Sequence, residues 1–161
     1  MGKGSAPAGR MRTRRTAVSV TIRSLRPEDY PAVCAVWQAA GLSVRPAGRD
    51  ARPAFVRQLA RFPTTYLLAE HDGRPVGVIL GTHDQRKGWI NRLAVIPEYR
   101  RRGIARRLIE ACEQAFQAEG IGIIAALVEK ENTASAALFR AAGYVTDVPV
   151  HYFRKRMRPD I

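Results

Sequence analysis

Cysteine, histidine and long apolar runs are all scarce in this 161-residue chain. The three histidines are scattered without metal-ligand spacing, so we expect no metal site. The two cysteines, Cys34 and Cys112, lie among apolar neighbours and are predicted to be buried free thiols. No apolar run approaches the roughly 18 residues of a transmembrane helix, and the N-terminus lacks a secretory signal. We therefore expect no membrane segment and a cytoplasmic location.

Acidic residues are also few. The chain has 14 Asp and Glu against 27 Lys and Arg, which gives a formal net charge of +13 and a pI near 11.0. Such a charge attracts polyanions, among them phosphorylated cofactors, acidic peptides, ribosomes and nucleic acids, and does not choose between them. One basic cluster runs from Arg92 to Arg107, where Glu98 is the single acid, and a second lies in the first 16 residues.

Length and composition predict one folded domain over residues 17–161, preceded by a flexible basic tail over residues 1–16. The chain is 46% hydrophobic and long enough to bury a core. The tail is rich in Gly, Ala and Arg without apolar periodicity, so it cannot offset the entropy of ordering. A solvated leader and a transit peptide both fit this composition, and the tail could contact nucleic acid or a ribosome.

Apolar periodicity predicts a strand, two helices, three strands, a helix, a strand, a helix and two closing strands, in one mixed sheet. An Asp-Gly turn marks a hairpin within the three strands. The continuous apolar run over 122–128 indicates a central strand covered on both faces. The predicted elements cover 18–23, 27–41, 50–61, 66–70, 75–80, 89–95, 104–119, 122–128, 133–142, 144–145 and 151–157.

The segment after the strand at 89–95 predicts an anion site. Gly103 directly precedes a helix whose first N–H groups have no partner within the helix, and the helix dipole is positive there. Gly103 permits close backbone approach, and Ala105 keeps the entry small. Several arginines surround this point. A solvated basic helix start is the alternative interpretation.

Two segments resemble known family motifs. The segment Leu93-Ala94-Val95-Ile96-Pro97-Glu98-Tyr99-Arg100-Arg101-Arg102-Gly103-Ile104-Ala105 resembles motif A of the GNAT N-acetyltransferase superfamily, whose core is Gln/Arg-x-x-Gly-x-Gly/Ala. Motif B of that superfamily is similar to a second set of residues: Asn132, Ala136, Leu138, Phe139, Gly143 and Tyr144. The resemblance covers residues 18–157 and is closest to small ribosomal-protein alanine acetyltransferases.

The resemblance implies a GNAT fold, an α/β protein with a mostly antiparallel mixed sheet of six to seven strands and about four flanking helices. It also implies bound acetyl-CoA in a gap where a bulge splays two strands apart. A homodimer is possible. The residues that would bind the cofactor are Leu93, Ala94, Val95, Arg100, Arg101, Arg102, Gly103, Ile104, Ala105, Arg106, Asn132 and Phe139. For Asn132, a helix N-cap is an equal alternative.

The catalytic side chains that relatives use are absent here. Phe139 stands where many relatives have a tyrosine acid, and Leu127 and Trp89 stand where relatives have a glutamate base. Glu129 lies two residues after Leu127, on the same face of the strand, and is the candidate base. Tyr152 is the candidate acid, because the closing strands border the acceptor site in this fold. A solvated strand end and simple packing are the respective alternatives.

The candidate base Glu129 is a carboxylate and therefore a weak base. It favours an acceptor amine that is easily deprotonated. Neutralising a lysine of pKa about 10.4 at pH 7 costs roughly 4 to 5 kcal/mol, whereas an α-amine of pKa about 7.7 to 8.0 costs about 1 kcal/mol. We therefore expect acetyl transfer to the α-amine of a peptide or protein, or to a small amine. A catalytically weak CoA-binding protein and a basic nucleic-acid or ribosome module are the alternatives.

Overall fold

The computed structural model describes residues 19–146, 151–155 and 157. Over these residues, five strands form one sheet in the order β1-β2-β3-β4-β5, and every neighbouring pair is antiparallel except β4 and β5. The predicted mixed, mostly antiparallel α/β fold is confirmed. The elements are β1 (Thr21–Ser24), α1 (Tyr30–Ala39), α2 (Arg52–Arg61), β2 (Tyr66–His71), β3 (Arg74–His83), β4 (Gly88–Val95), α3 (Ile104–Ala118), β5 (Ile124–Ala126) and α4 (Thr133–Ala141), with one-turn 3-10 helices at Pro27–Asp29 and Pro97–Tyr99.

The strand count is lower than the six to seven predicted. Residues 144–146 and 151–155 carry no strand, so the predicted closing strands are absent from the part of the chain that the structure describes. Residues 147–150, 156 and 158–161, which complete that prediction, lie outside the described residues. So do the predicted tail over 1–16 and the first residue of the predicted strand at 18.

The prediction of a long central strand at 122–128 is wrong for the described sheet. β5 spans three residues and occupies the edge, and the flanking Ile123 and Leu127 are 60% and 61% exposed. An apolar run cannot by itself distinguish a central strand from an edge strand. Here the pairing with β4 covers only one side of β5, and it ends at Ile90 opposite Ala126.

The β2–β3 hairpin follows the predicted turn chemistry. His71 pairs with Arg74, which leaves Asp72 and Gly73 as the two loop residues. Both have positive φ, 49° and 75°, which is the type I′ pattern that Asp-Gly favours. The turn therefore sets the start of the pairing between β2 and β3, and β3 in turn pairs with β4.

Helix α3 packs on one face of the sheet through close contact with β3. Its buried positions Ile104, Leu108, Cys112 and Phe116 are four residues apart, as predicted. A Cβ atom at Gly81 of β3 would lie 2.7 Å from the Phe116 ring. Glycine at that position therefore lets the C-terminal half of α3 approach the sheet.

Helices α1 and α2 cover the other face. Trp37 of α1 is almost fully buried, and so is Phe55 of α2. Helix α2 begins at Arg52 rather than at the predicted Asp50. The Asp50 carboxylate instead accepts the Arg45 N–H at 2.9 Å, and its own N–H donates to the Arg45 carbonyl. This local pairing holds Asp50 in a loop ahead of the helix.

Both cysteines are free thiols, as predicted. Cys112 is fully buried, and burial raises its pKa to about 12. Cys34 is only partly buried, so the prediction of full burial is wrong for that residue. None of the described helices is long and apolar enough to cross a membrane.

Candidate active site

A bulge in β4 opens the candidate site. Leu80 of β3 pairs with Arg92, and Gly81 pairs with Ile90, so Asn91 is an extra residue on β4. The parallel pairing of β4 with β5 ends at Ile90. The last four residues of β4, 92–95, therefore have a strand partner on the β3 side and none on the β5 side.

Backbone groups of β4 face this gap. The Ile96 N–H donates to the Val76 carbonyl of β3 at 3.0 Å. Because successive residues of a strand direct their backbone groups to opposite sides, the N–H and carbonyl of Val95 face away from β3. The Val95 carbonyl accepts a hydrogen bond from Arg100 Nε at 3.0 Å. Leu93, two residues earlier, has the same orientation as Val95.

Ala94 differs from its two neighbours. It pairs with Val78 of β3, directs its backbone groups towards that strand and is 4% exposed. Of the three β4 residues predicted to bind the cofactor, Leu93 and Val95 therefore face the gap with their backbone, and Ala94 supports the strand from the core.

A cleft of about 320 Å³ occupies the gap, and we name it the cofactor cleft. Three predicted cofactor residues line it, namely Leu93, Asn132 and Phe139, together with the predicted base Glu129. Strand β4 supplies one wall, and the segment after β5 with the start of α4 supplies the other.

The predicted anion site forms at the N-terminus of α3. Gly103 is the N-cap and is left-handed, with φ of 79°, and no described side chain caps the helix. Ile104 is buried and anchors the first turn. Arg101 also has a positive φ of 60°, which makes the loop a tight backbone concavity of the kind that binds anions. Ala105 follows as a partly buried small residue.

Arginines in and just after the loop of residues 96–103, which we name the cofactor loop, hold it against the rest of the protein. Arg100 donates to the carbonyls of Val95 and Ala40, both at 3.0 Å. Arg107 donates to the Val20 carbonyl at 2.7 Å. These two guanidinium groups therefore tie the loop and the first turn of α3 to the ends of β4 and α1 and to the residue before β1.

The other arginines of the loop lie on its surface. Arg102 is exposed and stacks over the Tyr99 ring, with 5.0 Å from Cζ to the ring centroid. Arg106 pairs with Glu110 one turn along α3, at 2.8 Å. Their charges add to the positive field at the helix N-terminus without fixing a single geometry.

Asn132 is the N-cap of α4. Its Oδ1 accepts the Ser135 N–H at 3.0 Å. The cap uses the amide oxygen and leaves the amide nitrogen as a separate donor on a residue that lines the cofactor cleft. The two predicted roles of Asn132 therefore use different atoms and are compatible.

Phe139 is buried behind Asn132. Its ring meets Tyr144 edge-on, with 5.0 Å between centroids. The Tyr144 hydroxyl is buried without a hydrogen bond to the described residues, and burial, with a further contribution from Glu113, raises its pKa. Tyr144 is therefore protonated at neutral pH, and it lies outside both clefts.

A second cleft, of about 510 Å³, lies beside the first, and we name it the acceptor cleft. Arg49, Ile90, Asn91, Arg92 and Leu127 line both clefts, so the bulge of β4 forms a shared wall. Tyr152, the predicted acid, lines the acceptor cleft but not the cofactor cleft, and it is 71% exposed. The predicted base Glu129 is also exposed and lines only the cofactor cleft.

Comparison with known proteins identifies the family. The model of the acetyltransferase (GNAT) family matches residues 22–144. Acetyltransferase ECA0875 of Pectobacterium atrosepticum is 34% identical over 125 residues, which cover 78% of this chain and 87% of that protein. The chain belongs to the GNAT acetyltransferase family. It is an acyltransferase that uses acetyl-CoA as its cosubstrate.

Solved GNAT structures share the fold at low identity. The PaiA N-acetyltransferase of Thermoplasma acidophilum in complex with coenzyme A has a TM-score of 0.66 and 21% identity, and covers 76% of this chain and 87% of that one. The ribosomal-protein-S18-alanine N-acetyltransferase of Escherichia coli has a TM-score of 0.66 and 22% identity, with coverage of 78% and 77%.

The GNAT site contains a cluster that the sequence analysis missed. The Arg92 Nη2 atom lies 3.2 Å from both carboxylate oxygens of Asp50, and the guanidinium also donates to the Ser43 carbonyl at 3.3 Å. Its Cζ lies 4.3 Å from the centroid of the Trp37 ring. Burial lowers the pKa of Arg92. The only sequence signal for this cluster was the position of Arg92 just before motif A. Its partner Asp50 is 42 residues away in the sequence, so no local pattern links the two residues.

The residues present fit acetyl-CoA. The left-handed Gly103 and the uncapped α3 N-terminus suit a pyrophosphate, since a Cβ at Gly103 would meet no atom within 4 Å and the space in front of the loop is open. Leu93 lines the cofactor cleft, and the backbone groups of Leu93 and Val95 face away from β3, where an extended chain can pair as an added strand does.

Proposed function

We propose that this GNAT enzyme transfers the acetyl group of acetyl-CoA to a primary amine, either the α-amine of a peptide or protein or a small amine, by direct attack in a ternary complex. The supporting observation is the shared wall of the two clefts at the β4 bulge. A thioester held from one side and an amine held from the other meet at the end of the β4–β5 pairing.

Backbone atoms carry the electrostatic part of the proposed reaction. The Val95 N–H faces the gap and is positioned to donate to the oxygen of a thioester carbonyl as negative charge develops there. The same residue's carbonyl, which belongs to the next peptide group, is held by Arg100 at 3.0 Å and helps to fix the backbone conformation of Val95. No side chain is needed for this stabilisation.

Two side chains are proposed for proton transfer. Glu129 accepts the proton that the attacking amine loses, and Tyr152 donates one to the departing thiolate. A carbon–nitrogen bond forms as the carbon–sulfur bond breaks, so an ammonium acceptor gives an amide, a thiol and one proton to solvent. Each residue lines one of the two clefts, so both border the shared wall from opposite sides.

The proposed acceptor follows from the weak base. An exposed carboxylate at the end of β5 is suited to an amine that is already partly neutral at pH 7, and much less to a lysine side chain. The E. coli structural neighbour named above is an alanine N-acetyltransferase, which acts on an α-amine. This likeness supports the proposal for an α-amine without distinguishing peptides from small molecules.

Release of CoA over a panel of amines tests the proposal. We expect turnover with α-amines and small amines, and a rate at least about tenfold lower with Nα-blocked lysine. Glu129→Gln and Tyr152→Phe should each lower kcat by about 10- to 100-fold with an unchanged KM for acetyl-CoA. Turnover confined to lysine side chains would refute the proposed acceptor, and CoA binding without any turnover would refute the enzyme mechanism.

The sequence also predicts two kinds of macromolecular partner: a ribosome or nucleic acid, and a second copy of this chain. A ribosome or nucleic-acid contact through residues 1–16 should weaken steeply as salt rises, because phosphate binding releases counterions. A homodimer should appear as a concentration-dependent mass in analytical ultracentrifugation. An association insensitive to salt and a constant monomer mass, respectively, would remove these two predictions.

A further inference from the structure

The charges at the shared wall carry information about the acceptor. Arg49 and Arg92 line both clefts, and among the described residues Asp50 is the one acidic residue that lines the acceptor cleft. Two cations therefore face one carboxylate there. The excess positive charge belongs to a cleft that, under the function proposed above, receives an amine.

Asp50 is mostly buried and already paired within the protein, so it is poorly placed to bind an ammonium group. Its side chain is 8% exposed, and it accepts hydrogen bonds from the Arg45 N–H and from Arg92. Arg92 is likewise engaged, because it also donates to the Ser43 carbonyl and covers the Trp37 ring. The hydrogen bonds of Asp50 and Arg92 are therefore made mainly within the protein, and we assign this pair a structural role in the shared wall.

Arg49 is different. Its side chain is 50% exposed, and its Nε lies 3.7 Å from the nearest Asp50 oxygen, which is beyond hydrogen-bond distance. The guanidinium therefore keeps donors for a ligand on a residue shared by the two clefts. A planar guanidinium is suited to a carboxylate, which it can bind through two parallel hydrogen bonds.

The aromatic residues of the acceptor cleft argue against a site built for a cation. The Trp37 ring is covered by Arg92, and Lys87 Nζ lies 5.4 Å from the centroid of the Trp89 ring. Both tryptophans that line the cleft already have a cation of this chain against them. An aromatic cage for an ammonium group is therefore not available.

Apolar side chains form one wall of the acceptor cleft, which Gln58, Thr82 and Asn91 also line. Leu127 is 61% exposed, Tyr152 is well exposed, and Trp89 and Leu80 complete this wall. A volume of about 510 Å³ is within the usual range for sites that hold small organic molecules. The cleft thus combines an apolar wall with one available guanidinium group.

We propose that the acceptor is a free α-amino acid with a large apolar side chain, and that Arg49 binds its carboxylate. This inference rests on the proposed function. The side chain lies along Leu127, Trp89 and Tyr152, the carboxylate lies on Arg49, and the α-amine faces the shared wall towards Glu129. A peptide N-terminus lacks the adjacent carboxylate and so loses the Arg49 contact.

Matched acceptors test this inference. We expect CoA release with L-phenylalanine or L-leucine at a kcat/KM at least tenfold above that of the corresponding amide, and above that of phenethylamine, which lacks the carboxylate. Arg49→Gln should raise the KM for the free amino acid about 10- to 100-fold and leave the KM for the amide unchanged, because the amide lacks the carboxylate. Arg57→Gln is the control, since it removes an exposed arginine of α2 that lines neither cleft.

Binding can be followed without turnover. Trp37 and Trp89 are the only tryptophans of the chain and both line the acceptor cleft, so their fluorescence should respond to the free amino acid in the presence of CoA. Equal or better use of the amide, or of a peptide N-terminus, would overturn this inference and leave the proposed function intact. Absence of transfer to every amine of the panel, with CoA still bound, would overturn both.

Discussion

On the cofactor side of β4, the groups that we propose to face the ligand belong mainly to the backbone, namely the Val95 N–H and the first turn of α3. On the proposed acceptor side they are side chains, and Arg49 is the central one. Backbone groups are fixed by the fold, whereas side chains change with each substitution. Under the proposed function, a single substitution therefore alters the acceptor site more directly than the cofactor site.

The two sides also differ in how their positions are maintained. Arg100 and Arg107 bind carbonyl groups and hold the cofactor loop to elements of regular structure. The loop of residues 43–51 before α2 is held by the ion pair between Asp50 and Arg92, and by hydrogen bonds of Asp50 with Arg45 and Tyr30. Substitutions that separate backbone from side-chain effects can therefore test the comparison.

The largest effect is expected for Asp50→Ala. The substitution leaves Arg92 without its carboxylate in a partly buried position, so the free energy of unfolding should fall by about 2 to 4 kcal/mol. Urea unfolding followed by tryptophan fluorescence measures this loss. The Kd for CoA should stay within about twofold, because the cofactor loop has its own attachments. A parallel loss of CoA affinity would show that the two sides are not independent.

Gly103→Val tests the predicted anion site at the N-terminus of α3. A β-branched residue at a φ of 79° is strained by about 1 to 2 kcal/mol, and its side chain enters the anion site, so the Kd for CoA should rise about tenfold or more. Isothermal titration with CoA provides the measurement.

Gly120→Val is the matched control for Gly103→Val. Gly120 has a φ of 77° just beyond the other end of α3, and a Cβ there also meets no atom within 4 Å. We expect a similar loss of stability and a wild-type Kd for CoA. If both variants weaken CoA equally, the effect of Gly103 comes from backbone strain alone and not from the anion site.

Asn132 allows the two roles of one side chain to be separated. Asn132→Ala removes the cap and should cost about 1 kcal/mol of stability. Asn132→Asp keeps an acceptor for the Ser135 N–H but removes the amide donor, so stability should be retained while the KM for acetyl-CoA rises a few-fold. A wild-type KM in the Asp variant would leave the cap as the only function of this residue.

The smallest effect is expected for Glu110→Ala. Its ion pair with Arg106 is exposed, with side-chain exposures of 47% and 65%, and pairs of this kind contribute at most about 0.5 kcal/mol. Urea unfolding and CoA titration should both match the wild type closely. A loss as large as that of Asp50→Ala would mean that side-chain charge, and not backbone geometry, maintains the cofactor side.

The parts predicted correctly from the sequence depend on local rules. The Asp-Gly turn, the four-residue spacing of α3 and the glycine before that helix are each set by a few neighbouring residues. The Asp50–Arg92 pair could not be predicted, because it joins a loop and a strand 42 residues apart. The extent of β5 was also missed, since its length depends on where β4 diverges and not on its own apolar residues.

The single extra residue of the β4 bulge, Asn91, has a consequence for protein engineering. Trp89, before it, lines only the acceptor cleft, and Leu93, after it, lines only the cofactor cleft. Under the proposed function, substitutions at Trp89 would alter the acceptor site without replacing a residue that is proposed to bind CoA.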